Sequence, residues 1–204
     1  GELVGVAPAV FLSMLFLLSL SGSEGNKAGI HNFLSGLVLG IFGLFRPNAL
    51  VLLIPIPAWF LLSEFPGRKK GYIYKVAKRF GIFLIGVLAA IGPVTARNYL
   101  ISGQFVPIST NAGVSLAVAN NPRSDGTTHF IPGIGNIGTP FDWPRLVRKL
   151  EQETGRNLSH AEASAYLSRQ ALRYAWNNPG DFFRLLGRKA LLFWGPAEIR
   201  NLKE

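Results

Sequence analysis

The chain has 204 residues, of which 49% are hydrophobic and only 16% charged, with 15 Phe among them; together with a positive mean hydropathy this points to an integral membrane protein. The net charge of +10 divides into nine Lys/Arg against three Asp/Glu over residues 1–97 and twelve against eight over residues 98–204. That spread argues against the single basic face of a nucleic-acid-binding protein and leaves anionic lipid and phosphate-bearing substrates as partners. With no cysteine there is no disulfide framework, thiolate nucleophile or zinc-thiolate site.

The first apolar run, residues 3–20, follows Glu2 with no positive n-region, so it does not read as a secretory signal peptide, and the chain reads as a fragment of a longer protein. Residues 30–62 are apolar with one interruption, Arg46-Pro47-Asn48. As one helix they would be about 50 Å long against a hydrocarbon core of about 30 Å. They therefore form either a hairpin of two short spans, 30–45 and 49–62, or one strongly kinked helix. A loop over residues 63–79 carries six Lys/Arg between Arg68 and Arg79, which the positive-inside rule assigns to the cytoplasm. A span over 80–96 then leads outside, so that residues 98–204 are extracytoplasmic. The expected fold is all-α, with about four transmembrane helices, an external α-rich region and an interfacial helix.

Beyond the last span comes a polar stretch, residues 97–122, rich in Asn, Gly, Ser and Pro. Asp142 is a candidate cap for a helix through Glu153, with Pro144 in its first turn and Gly155 as its stop. Ser159-His160-Ala161-Glu162 fits a capping box ahead of apolar residues at helical spacing. Asn178-Pro179 opens a further helix in which Arg184, Arg188 and Lys189 interrupt an apolar segment. Such a helix suits a membrane interface, with Phe182, Phe183, Phe193 and Trp194 at headgroup level.

Several patterns carry little chemistry. Residues 133–138 match G-x-G-x-x-G, but prolines flank them and no βαβ unit surrounds them, so they read as a surface loop. Gly36-x-x-x-Gly40 reads as a close helix-packing face. His31, His129 and His160 are far apart, and Asp125 with His129 is too little for a metal site. Asn157-Leu158-Ser159 is a formal glycosylation sequon, which a capping role for Ser159 explains as well.

Arg46 stands out, because an arginine amid apolar sequence is costly unless it faces a wet cavity, a partner or a phosphate, or snorkels to the headgroups. Pro47 beside it breaks the helix and frees backbone groups. Arg97 poses the same choice. If residues 30–62 form a hairpin, both arginines lie at the external face, where with Lys189 they would suit a lipid-linked phosphate.

Residues 36–50, then Arg97-Asn98-Tyr99 with residues 103–113 and Asn120-Asn121-Pro122, and finally residues 166–194, resemble polytopic glycosyltransferases of the dolichyl-phosphate-mannose-protein mannosyltransferase type. These belong to the GT-C superfamily, with family 39 and aminoarabinose-transferase-like members. The resemblance covers most of residues 30–200 and rests on the order and spacing of the motifs. It implies transfer of a sugar from a polyprenyl-phosphate donor, with inversion, to a protein, lipid or glycan acceptor on the outer side of a membrane, taken as a bacterial inner membrane. It also implies a catalytic carboxylate in a first external loop, which would precede Gly1, so no residue here is assigned as the base. Arg46, Arg97 and Lys189 are the candidates for the donor phosphate, and Glu198 is a candidate for orienting a cation or a sugar hydroxyl. No cofactor is required by these residues, and a divalent metal is left open. The rival readings are a transporter or lipid flippase, which also uses broken helices and intramembrane arginines, and a non-catalytic membrane scaffold.

Overall fold

A backbone embedded in apolar side chains must satisfy its own hydrogen bonds, and helices do so locally. The structure, a computed structural model, is 79% helical and describes residues 3–22, 28–64, 71–136 and 143–195. The helices are α1 (Leu3–Ser21), α2 (Ala28–Phe45), a 3-10 helix (Pro47–Leu53), α3 (Ile56–Glu64), α4 (Tyr72–Ser102), α5 (Asn111–Ala119), α6 (Trp143–Thr154), α7 (His160–Asn177) and α8 (Pro179–Trp194). Two short strands, β1 (Phe130–Ile131) and β2 (Gly135–Asn136), pair antiparallel. The chain forms two compact units, residues 1–108 and 109–204.

Among the described residues, three segments of the first unit are long and apolar enough to cross a membrane: Ala28–Phe45, Pro47–Glu64 and Tyr72–Ser102. The first expected span corresponds to α1, a 19-residue helix. Gly36 and Gly40 of α2 face α4: a Cβ on Gly36 would overlap the Phe83 carbonyl, and one on Gly40 would lie 2.6 Å from the Ala90 Cβ and 2.8 Å from the Val87 carbonyl. Gly86 of α4 answers against the backbone of Phe33 and Leu37. Small residues on both helices thus let the backbones approach closely, as the Gly36-x-x-x-Gly40 spacing predicts.

These contacts advance together along both chains, 36 to 83 and 40 to 87–90, so α2 and α4 run parallel. Along α3 the order reverses. Phe60 packs edge-on against Phe83 at 6.1 Å between ring centroids, and Glu64 pairs with Arg79, one turn earlier in α4. Of the two alternatives for residues 30–62, the hairpin is the one that forms, with Gly43 packed against Leu50 where the chain turns back. Phe83 is the hub of this core, fully buried and ringed by Phe16, Phe60 and Phe80.

Two boundaries differ from the sequence-based reading. Lys75, Lys78 and Arg79 lie on α4, not in a loop, because the helix starts at Tyr72; Arg68, Lys69 and Lys70 lie outside the described residues. At its other end α4 continues past Ala96 to Ser102, where Gly103 caps it at φ 67°. The first unit ends only at Ile108, because Asn98 donates from Nδ2 to the Val106 and Ile108 carbonyls and Thr95 donates to that of Pro107.

The second unit has its own core of Val114, Ala117, Ile131, Ile134, Leu146, Leu150, Ala163 and Leu167. Gly113 meets the backbone of Ser164, so α5 and α7 touch main chain to main chain. The Ser159–Glu162 capping box starts α7 as its sequence predicts, with Glu162 N donating to Ser159 Oγ and Ser159 N donating to Glu162 Oε2. Gly155, at φ 65°, closes α6, and Pro179 occupies the first turn of α8. Asp142, the expected cap of α6, lies outside the described residues.

Candidate functional site

Arg46 sits at the break between α2 and the 3-10 helix. Its own backbone is extended (φ −135°, ψ 94°), while its N–H still donates to the Phe42 carbonyl and its carbonyl accepts from Ala49 N. Pro47 has no N–H to continue α2, which fixes the break at this residue. The side chain is exposed. Its guanidinium lies 6.0 Å from the Phe45 ring centroid and has no ion-pair or hydrogen-bond partner among the described residues.

Arg97 lies on α4, exposed and also without an ion-pair or hydrogen-bond partner among the described residues. The parallel register of α2 and α4 sets its level. Arg46 comes six residues after Gly40, about 9 Å further along the axis, and six residues beyond the facing Val87–Ala90 segment is 93–96. The two arginines therefore lie at the same end of the first unit. Beside Arg97, Asn98 and Thr95 hold the 106–108 strap against α4.

Lys189 belongs to the second unit, and its ammonium has a structural task. It donates to the Ala119 carbonyl at 2.6 Å and to Asn120 Oδ1 at 3.3 Å. Burial there lowers its pKa below the usual lysine range. This completes the capping of α5. The Leu116 carbonyl accepts from the N–H and Nδ2 of Asn120; those of Ala117 and Val118 accept from Asn121 Nδ2; that of Ala119 accepts from Lys189 and Ser124. All four carbonyls that a helix end leaves open are thus satisfied, and the cation complements the negative end of the helix dipole. The buried Asn121 also donates to the Phe130 carbonyl and accepts from Arg123 N, tying α5 to β1.

Glu198, the candidate for orienting a cation or sugar, lies outside the described residues. Gly133 lies in the turn of the β1–β2 hairpin and Gly135 opens β2, both at positive φ, while Ile134 between them is buried in the core; residues 133–136 open no helix, and residues 137 and 138 lie outside the described residues. Among the described residues no group of three His, Asp or Glu side chains is placed to hold a metal ion.

Two features of the first unit escape sequence reading. Arg79 is buried, pairs with Glu64 at 2.7 Å, donates to Ser63 Oγ, and lies 4.7 Å from the Phe60 ring centroid. Asn32 is fully buried on α2, and neither its Oδ1 nor its Nδ2 has a partner among the described residues. A cation among other cations and a polar residue in an apolar helix give little local signal; both positions follow from which helix packs alongside.

Together these features define an all-α protein with helices able to cross a membrane, a broken helix carrying an exposed arginine, and a separately cored α-rich unit. Comparison with protein-family models, characterised proteins and solved structures finds no match.

Proposed function

We propose that the chain is part of a membrane glycosyltransferase that transfers a sugar from a polyprenyl-phosphate donor to a protein, lipid or glycan acceptor on the extracytoplasmic side of a bacterial inner membrane. The observation that carries the reading is the placement of Arg46 and Arg97 at one end of the apolar unit, both exposed and neither paired with a carboxylate among the described residues. Guanidiniums present planar, fixed donors that match phosphate oxygens, and their charge would steady the departing phosphate as the glycosidic bond to it breaks. The break at Pro47 keeps Arg46 out of a regular helix, where its direction would be dictated by α2. Lys189 belongs to the other unit, at the end of α5, and its contacts with Ala119 and Asn120 account for its position without a ligand. No residue of the chain is assigned as the base.

The test is transfer from a radiolabelled polyprenyl-phosphate sugar by the full-length protein in liposomes, run beside equilibrium binding of polyprenyl phosphate to this chain in micelles. Losing one charge-assisted contact costs about 1.5–3 kcal/mol, so Arg46→Ala and Arg97→Ala should each weaken donor binding about 10- to 100-fold. Unchanged binding and transfer in both variants would make the arginines headgroup anchors. Transbilayer movement of the lipid without transfer would favour the flippase.

A further inference from the structure

A cleft of about 370 Å³ opens within the second unit, where the end of α7 and the start of α8 meet the turn at Pro122–Ser124. Its volume is at the small end of the roughly 300–1,000 Å³ range of ligand clefts, enough for one small polar molecule. The polar groups around it are Ser124, Tyr174, Asn178, Asp181, Arg184 and Arg188. Arg184 and Arg188 are one turn apart on α8, so they share a face, and like charges so placed destabilise a helix. Neither has a hydrogen-bond or ion-pair partner among the described residues, although Asp181 stands three residues from Arg184.

We propose that this cleft binds a hydroxylated phosphomonoester of the sugar-phosphate kind. Two guanidiniums one turn apart offer planar, multiple N–H donors that suit the three oxygens of a phosphomonoester better than the two of a carboxylate, while Asp181 offsets one of their two charges. The Tyr174 hydroxyl adds a donor. The rest of the lining accepts: the Asp181 carboxylate, Asn178 Oδ1, whose Nδ2 already donates to the Tyr174 carbonyl, and Ser124 Oγ, whose proton goes to the Ala119 carbonyl. Those acceptors suit ligand hydroxyls and oppose a bare anion, so the cleft selects a phosphate attached to a polyol. This site goes beyond the transferase reading and does not depend on it.

The experiment is calorimetric titration of the full chain in detergent micelles with glucose 6-phosphate, and in parallel with mixed micelles containing phosphatidylinositol 4-phosphate. The first probe represents a free ligand and the second a lipid-borne one. Arg184→Gln/Arg188→Gln should weaken binding of at least one probe by about tenfold or more. Arg156→Gln/Arg169→Gln, which removes the same charge elsewhere on the unit, should stay within about twofold of the parent. Binding of glucose 6-phosphate alone assigns a soluble ligand, and binding of the lipid alone a headgroup. Asp181→Asn should tighten inorganic phosphate relative to glucose 6-phosphate, a gain that a misfolded variant would not produce. The proposal is overturned if neither probe binds saturably, if both double variants lose binding equally, or if glucuronate binds as tightly as glucose 6-phosphate.

Discussion

Arg79 lies in a run of basic residues that reads as a solvated loop, yet it is buried against α3 with Glu64 as its partner. Removing one member of such a pair strands the other charge, whereas replacing both by apolar groups is close to neutral. Because a quarter of the Glu64 side chain remains accessible, Glu64→Leu should cost about 3 kcal/mol, the lower end for a buried pair. Glu64→Leu/Arg79→Met should recover most of the loss, as read by denaturant unfolding in micelles. Asp125 gives the pH-sensitive counterpart in the second unit. The backbone N–H groups of Thr127 and Thr128, with the Thr128 hydroxyl, converge on its Oδ1 and hold its pKa below the usual carboxylate range. A carboxyl with a depressed folded-state pKa contributes stability that is complete above its unfolded value of about 3.9 and is lost as pH falls below it. Protection of the Thr127 and Thr128 amides, corrected for intrinsic exchange, should therefore drop between pH 5 and pH 2.5. In Asp125→Asn it should be lower at pH 5 and independent of pH over that interval.

The α2–α4 contact rests on absent side chains more than on present ones. Gly36 and Gly86 touch the opposing main chain, which cannot retreat without separating the helices, while Gly81 on α4 faces open space. Alanine is the better helix former by about 1 kcal/mol, so the two substitutions should have opposite signs. Gly81→Ala should be neutral or stabilising by up to about 1 kcal/mol, and Gly36→Ala destabilising by about 1–3 kcal/mol from overpacking, both read as shifts in unfolding midpoint in micelles. The glycine spacing, the capping box of α7, the stop at Gly155 and Pro179 at the start of α8 are all legible in the sequence, because each depends on residues within one turn of each other. The start of α4 was not legible. Lys75, Lys78 and Arg79 resemble a loop by charge, and only the docking of α3 against that first stretch makes it a helix with a buried face.

At the scale of the molecule, apolar side chains cover the outside of the first unit as well as its core. Phe11, Leu18, Ile54, Leu62, Leu88 and Leu100 are all more than half exposed, an arrangement that suits hydrocarbon surroundings better than water. α4 has 31 residues, about 46 Å of helix, which is longer than a hydrocarbon core of about 30 Å. Its basic first turns and its Arg97 end can therefore both reach polar surroundings. The second unit closes on a different core and keeps an apolar stripe on α8, with Phe183, Leu191 and Trp194 exposed, as an interfacial helix would. The sequence by itself determined the helical class, the apolar segments, the break at Arg46-Pro47, the capping box of α7, the stop at Gly155 and the start of α8 at Pro179, since composition and short-range spacing act before any long-range contact forms. The tertiary structure alone decided that residues 30–62 fold back as a hairpin, that Arg46 and Arg97 share one end, that Arg79 is buried, that Asn121 and Lys189 close the end of α5, and that Arg184 and Arg188 line a cleft. Each of these depends on which helix packs against which and in what register, and such contacts join residues far apart in the chain that carry no mark of one another locally.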